Sequence, residues 1–329
     1  MDARPDLAAG QVIRDALRAR DGNDTAPDWR AATMRLCEAV APRAKALIAT
    51  IFGDALLPMG GGIWLKDLIR LTAPFGLSDR LVRTAVYRLR QENWLLAERK
   101  GRESFYRLSE SGMRSFVHAS ERIYHLPDTH WDGRWTLAII DRSLPRERRE
   151  RLVREAGWAG FATIGPQVLA HPSAGQAGAL RAAIGDAQAK DAVVILEGRD
   201  ISALMPERIG EIASRFWSLD ELAVQYEAFH ARFLPLQEAL GEDGDPDGET
   251  AFMLRTLLIH DYRRILLKDP ALPLALLPHD WPGRRAALTT RDIYCRLAAG
   301  SQTFLMKRID LTRLRSSPDA SFRQRFGGL

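Results

Sequence analysis

The chain has 329 residues, 46% of them apolar and 27% charged, with 47 Lys and Arg against 42 Asp and Glu and a formal net charge of +5. That length exceeds one ordinary core and points to two or three domains, and the apolar content excludes a chain too polar to fold. No apolar run approaches the roughly 18–20 residues that span a bilayer.

The charge is unevenly placed. Residues 41–125 carry a net +6, residues 1–40 a net −1, and residues 126–329 none. A basic region on an otherwise neutral chain is the electrostatic footprint of a polyanion binder. The bland alternative is a solvated helix laced with salt bridges. Cys37 and Cys295 stand far apart and outside any C-x-x-C pattern. They argue for a reducing, cytoplasmic setting and for buried thiols, against a zinc site or a disulfide framework. No secretory apolar region precedes residue 30.

In chain order, residues 1–40 are charged and poor in aromatics and read as a flexible arm. Residues 42–57 read as a helix with Leu47, Ile48, Ile51 and Phe52 as its apolar stripe. "PMGGG", 58–62, reads as a turn, and 63–76 as a second helix stopped by Pro74 and Gly76. Ser78 then caps a third helix over about 79–92. On it Leu81, Val82, Ala85, Val86 and Leu89 form an apolar face, and Arg80, Arg83, Thr84 and Tyr87 share a different one. Arg88 and Arg90 flank that polar face. "WLLAERKGRESFYRL", 94–108, reads as a hairpin around Lys100–Gly101 with a basic tip of Arg99, Lys100 and Arg102.

Helix, helix, short turn, basic helix, basic-tipped hairpin is the order of a winged helix-turn-helix. In that fold the second helix of the motif enters the major groove. Arginine suits it because its guanidinium grips guanine O6 and N7 in two hydrogen bonds. The hairpin tip adds phosphate or minor-groove contacts. The rival is the same fold used for protein contacts.

A helix follows Ser109. Pro127, Asp128, Asp132 and Gly133 then mark a linker. Strand 134–140, helix 145–160, a strand pair or bulged strand 161–172, helix 174–188 and strand 192–198 read as an α+β ferredoxin-like unit with its fourth strand undecided. From about 214 the chain reads as helical: a long helix to 240, an acidic loop over 241–250, a helix 251–269, an extended Pro-punctuated run 270–287, and a last helix to 305. The tail reads as loose.

These stretches resemble the PaaX family, regulators of phenylacetic acid degradation operons. The resemblance spans roughly residues 44–300 and is carried by "IFGDALLPMGGGIWLKDLIRLTAPFGLSDRLVRTAVYRLRQENWL", "YRLSESG", "WDGRWTLAII" and "HDYRRILLKDPALPLALLPHDWPG". It implies an α+β multidomain architecture: a winged helix-turn-helix over 41–125, a central ferredoxin-like α/β domain over 126–212 and a C-terminal helical domain over 213–315. The arm 1–40 and a loose tail 316–329 lie outside it. It also implies a homodimeric repressor on double-stranded operator DNA, released by phenylacetyl-CoA. Carried onto this chain, the recognition helix falls on Ser78 to Gln91. Arg80, Arg83, Thr84 and Tyr87 are the candidates for base or groove contact, and Arg88, Arg99, Lys100 and Arg102 for phosphate.

An acyl-CoA needs cations for its phosphates and an apolar recess for its acyl group. His260, Tyr262, Arg263, Arg264, Lys268, Trp281, Arg284 and Arg285 are the candidate effector residues. The alternative makes His260 and Tyr262 core or interface residues and the arginines solvated. Two other functions stand beside the first. One is a same-family regulator tuned to another acyl-CoA or aromatic acid. The other is a metal-dependent nuclease with Asp141, after the first strand of the central unit, as the metal ligand; a turn or N-cap role explains that aspartate equally. No H-E-x-x-H, no P-loop and no Ser/His/Asp set is present, so no cofactor or resident metal is expected.

Overall fold

A computed structural model describes residues 4–18, 27–126, 131–201, 206–241, 244–315 and 317–329. The fold is mixed α+β with two small antiparallel sheets. The chain divides into two compact units. The first gathers residues 1–126, 227–264 and 285–329, and the second 127–226 and 265–284.

The first unit opens with α1 (Arg4–Arg18) and α2 (Trp29–Val40). Both fall in the expected flexible arm. The described part of that arm is instead folded, because Ile13 and Leu17 of α1, and Ala32, Leu36 and Val40 of α2, recur at four-residue spacing on buried faces. Ile13, Ala32 and Leu36 are wholly buried. Asp28 caps α2 by accepting the Ala31 N–H at 2.8 Å. Gly10 lets α1 approach α10 (Leu219–Ala239): a Cβ there would sit 2.3 Å from the Ala231 carbonyl oxygen. Residues 1–3 and 19–26 of the arm lie outside the described residues.

Next come α3 (Ala44–Ile51), a π-helical turn Phe52–Leu56, β1 (Gly62–Trp64), α4 (Leu65–Thr72) and α5 (Asp79–Gln91). β2 (Leu95–Lys100), β3 (Glu103–Leu108) and α6 (Glu110–Ile123) follow. The sheet order is β1-β3-β2. The expected turn forms over residues 58–61, and strand β1 takes its last residue and the first two residues of the expected second helix. Gly62 pairs with Arg107 there, and only a glycine fits, since a Cβ would fall 2.4 Å from the Phe105 ring. Lys100 pairs with Glu103, so the hairpin turns on Gly101 and Arg102, one residue later than expected, with Gly101 at φ +62.

Helices α10, α11 (Gly248–Leu266) and α12 (Pro282–Arg308) complete the helical core. Pro282 starts α12 at a position that suits proline, so the extended run stops at Trp281. Residues 251–262 of α11 are buried all round, as befits a central helix. Within the first unit, this burial surrounds a charged cluster. Asp54, 2% exposed, accepts from the Tyr124 hydroxyl at 2.7 Å, the Tyr294 hydroxyl at 2.8 Å, Arg255 Nε at 2.9 Å and Arg325 Nη1 at 3.0 Å. Burial opposes its ionisation, but Arg255, Arg325 and the two hydroxyls hold its carboxyl below the ordinary value. Arg325 and Phe326 belong to the expected loose tail and are each 4% exposed. The described tail is held by that cluster and by the Phe326 N–H on the Tyr124 carbonyl at 2.8 Å; residue 316 lies outside the described residues.

The second unit is a β-α-β-β-α-β chain. It comprises β4 (Arg134–Ile140), α7 (Arg146–Trp158), β5 (Ala162–Gly165), β6 (Val168–His171), α8 (Ala177–Asp186) and β7 (Val193–Arg199). Its order is β5-β6-β4-β7, all antiparallel. The segment 161–172 is therefore a hairpin that supplies the undecided strand. Ala138, Ile140, Leu152, Ala156, Leu169 and Leu180 form its core. On the strands β4 and β7, Ile139, Val194 and Leu196 remain exposed. Helix α9 (Pro206–Ala213) follows. Pro127 and Asp128 of the expected linker lie outside the described residues, as do residues 242 and 243 of the expected acidic loop.

Candidate nucleic-acid interface

Helix α5 separates its faces because of its period. Val82, Ala85, Val86 and Leu89 are buried. Arg80, Arg83, Thr84, Tyr87 and Arg88 are exposed, with Tyr87 at 57%. Leu81, expected on the apolar face, is 49% exposed, while its neighbour Val82 is fully buried, so the buried face begins at Val82. Ser78 caps the helix in an extended conformation, its Oγ accepting the Leu81 N–H at 3.4 Å. Thr84 donates its hydroxyl to the Arg80 carbonyl at 2.8 Å, leaving its oxygen as an outward acceptor. Gly76, at φ +76, makes the turn that leads into the cap.

The acidic residues of this region are mostly neutralised by cations that do not belong to the polar face or the tip. Glu92 is paired with Lys45, and Glu103 with Lys66 at 2.7 Å. Glu98 takes Arg107 Nε at 2.6 Å and Arg313 Nη2 at 2.5 Å. Those two hydrogen bonds keep the Glu98 carboxyl below its ordinary range. Arg80, Arg83, Arg88, Arg90, Arg99, Lys100 and Arg102 make no ion pair among the described residues. One helix face and one hairpin tip thus present cations without ion-pair partners among the described residues, as a phosphate-rich partner requires, although Lys100 lies near enough to Asp310 to help hold that carboxyl below its ordinary value. Those cations are visible in the sequence, but the pairings made by Lys45, Lys66, Arg107 and Arg313 are not, because their partners are distant in the chain or across a hairpin.

The candidate effector residues divide between the two units: His260, Tyr262, Arg263, Arg264 and Arg285 belong to the first, and Lys268, Trp281 and Arg284 to the second. His260 and Tyr262, each 1% exposed, are core side chains of α11. His260 Nδ1 lies 3.1 Å from Thr50 Oγ1, and burial followed by Arg263 and Arg264 pushes its pKa down to about 3. Arg263 ties α11 to α3, donating Nε to Thr50 Oγ1 and Nη2 to the Ala46 carbonyl, both at 2.8 Å. Burial lowers its pKa to about 10. Arg264 is exposed and lies 3.8 Å from Asp261. Arg285 lies 3.3 Å from Glu227 and lines a cleft of about 410 Å3 with Gln11, Arg14 and His230. In the second unit Trp281 is buried edge-on against Tyr226, with ring centres 6.0 Å apart, and Arg284 is exposed. Lys268 lines a cleft of about 290 Å3 with Phe161, Phe216, Trp217, Leu222 and Pro270.

Asp141 is a turn residue: its Oδ1 accepts the Ser143 N–H at 2.7 Å. No cluster of three or more metal-ligating side chains occurs among the described residues, and no described helix is long and apolar enough to cross a membrane.

The PaaX-like protein model matches residues 43–112, which hold α3, α4, α5 and the β2–β3 hairpin. The model of the PaaX-like protein C-terminal domain matches residues 217–307. The chain is 36% identical over 296 residues to the transcriptional repressor PaaX of Escherichia coli strain K12, covering 88% of this chain and 92% of that protein. It belongs to the PaaX-like family. A solved structure, the uncharacterized protein Rv0674 from Mycobacterium tuberculosis, is similar over 74% of this chain and 88% of its own, at 24% identity and a TM-score of 0.43. The helix and hairpin bearing these cations thus lie inside a family match, while α1 and α2 lie outside both.

Proposed function

We propose that the protein is a transcriptional repressor that binds double-stranded operator DNA in the cytoplasm as a homodimer. Residues 41–125 act as a winged helix-turn-helix. Helix α5 enters the major groove, Arg80, Arg83, Thr84 and Tyr87 meet base edges or the groove wall, and Arg88, Arg99, Lys100 and Arg102 meet phosphates. The single observation that carries this reading is the set of unpaired cations on α5 and the hairpin tip beside acids already neutralised from elsewhere. The repressor named among its relatives supports it.

The central unit acts as a ferredoxin-like domain. One recognition helix reads only a few base pairs, so paired half-sites need a second copy. We place that contact on the exposed apolar residues Ile139, Val194 and Leu196, beside the open edge of β7.

The effector is an acyl-CoA, with phenylacetyl-CoA the first candidate and another acyl-CoA or aromatic acid the second reading. The cleft at Lys268 supports a CoA thioester, since it combines a cation with the aromatic walls of Phe161, Phe216 and Trp217. Titrating phenylacetyl-CoA into the protein–DNA complex, with phenylacetate and free CoA as controls, tests it. Release by the thioester alone supports the reading, and indifference to it moves the search to other acyl-CoAs.

A further inference from the structure

The hairpin that carries the basic tip is held from outside at both strands. On β3, Glu103 is paired with Lys66 of α4 at 2.7 Å. On β2, Glu98 is gripped by Arg107 from within the hairpin and by Arg313 from the segment after α12. The Arg313 guanidinium also lies 4.6 Å from the centre of the Phe105 ring, and Phe105 in turn packs edge-on against Trp64 of β1 at 5.2 Å. Arg313 therefore touches both strands of the hairpin, since Glu98 and Phe105 are register partners.

Arg313 is itself anchored. Just before it, the Asp310 N–H donates to Asp67 Oδ2 of α4 at 3.0 Å. Just after it, the Arg315 N–H donates to the Met59 carbonyl at 2.9 Å and the Asp319 N–H to the Pro58 carbonyl at 3.1 Å. The strap ends with Arg325 on Asp54. A cation fixed at both ends of its segment can brace a hairpin whose other supports include the Lys66–Glu103 pair and the three-residue strand β1.

We propose that Arg313 is a positioning residue for DNA binding. It removes the charge of Glu98 two positions from the tip and holds the hairpin so that Lys100 and Arg102 reach phosphate. This rests on the DNA-binding reading above. Arg313 touches no DNA in this scheme and acts only through the hairpin.

The test is a double-mutant cycle. The probe is a duplex that the parent protein selects from a randomised pool, and binding is followed by fluorescence anisotropy at two salt concentrations. Five proteins are compared: the parent, Arg313→Gln, Arg313→Lys, Lys100→Ala with Arg102→Ala, and that tip variant with Arg313→Gln added. The tip substitutions should flatten the salt slope by about 0.9 for each phosphate that is no longer neutralised. Arg313→Gln alone should weaken binding several-fold and flatten the slope as well, a change that loss of general stability does not produce. Arg313→Lys, which keeps the charge, should bind more tightly than Arg313→Gln. In the tip-substituted protein, Arg313→Gln should have no further effect. Multiplying effects, an unchanged affinity for Arg313→Gln, or a tip that contributes nothing would each overturn the inference while leaving DNA binding by the parent intact. A parent that selects no duplex overturns the DNA-binding reading and the inference with it.

Discussion

Asp54 and Arg255 form an ion pair at 2.9 Å in which neither side chain reaches solvent, at 1% and 0% exposure. With Arg325 on the same carboxylate, two guanidinium groups share one counter-charge. Removing that charge leaves two buried cations unpaired. Asp54→Asn should therefore destabilise the protein by about 3–5 kcal/mol, the usual loss when one partner of a buried pair is removed, measured by denaturant unfolding. The sign with pH follows from a folded-state carboxyl held below its unfolded value. Its contribution is complete above roughly pH 4 and is lost as pH falls through the folded value. That acid limb should be reduced in Asp54→Asn.

His260 gives a second pH dependence. Its folded value of about 3 lies below the ordinary 6.5, so the unfolded chain takes up the proton first. Its contribution to stability is complete above pH 6.5 and falls as pH drops toward 3. The slope is about 1.4 kcal/mol per pH unit within that window. His260→Asn has no proton to gain. Its melting temperature should fall less than the parent's between pH 7 and pH 5, and equal falls would remove His260 from this role.

On α5 and the hairpin tip the two kinds of cation separate by experiment. Arg83→Ala should cost about 1–3 kcal/mol in DNA affinity and relax preference at one base position. Lys100→Ala should weaken binding to all sequences alike and lower the salt slope by about 1. Selection from a randomised pool distinguishes them, and an Arg83 variant with unchanged base preference would not be reading a base.

The dimer contact is tested by charge. Leu196→Glu places a carboxylate on an exposed apolar strand next to Val194 and opposite Leu137. Sedimentation velocity should move the variant toward the monomer without unfolding it, since Leu196 is 43% exposed. An unchanged dimer places the interface elsewhere.

The basic helix and hairpin are legible in the sequence because their signals are local: a serine cap, a helical period and a turn glycine. The rest depends on partners far apart in the chain. Gly62–Trp64 is too short to show an alternation and becomes a strand only because β3 lies beside it. Asp54 looks like any helical aspartate, and its partners stand 70 to 271 residues away. The tail offers one sign, an arginine among aromatics in "SFRQRF", and that pattern carries no period. His260, Tyr262 and Arg263 suggest ligand chemistry in the sequence, yet the same polar types satisfy a buried helix. Helices α1 and α2 are obscured by their many charged residues, which mask the four-residue spacing of Ile13 with Leu17 and of Ala32, Leu36 and Val40.

The most direct measurement is the titration of the parent protein onto its selected duplex and onto a random one at two salt concentrations. The account predicts a clear preference for the selected duplex, a steep loss of affinity with salt, and release by phenylacetyl-CoA or another acyl-CoA but not by free CoA. Equal binding to both duplexes with little salt dependence would contradict it.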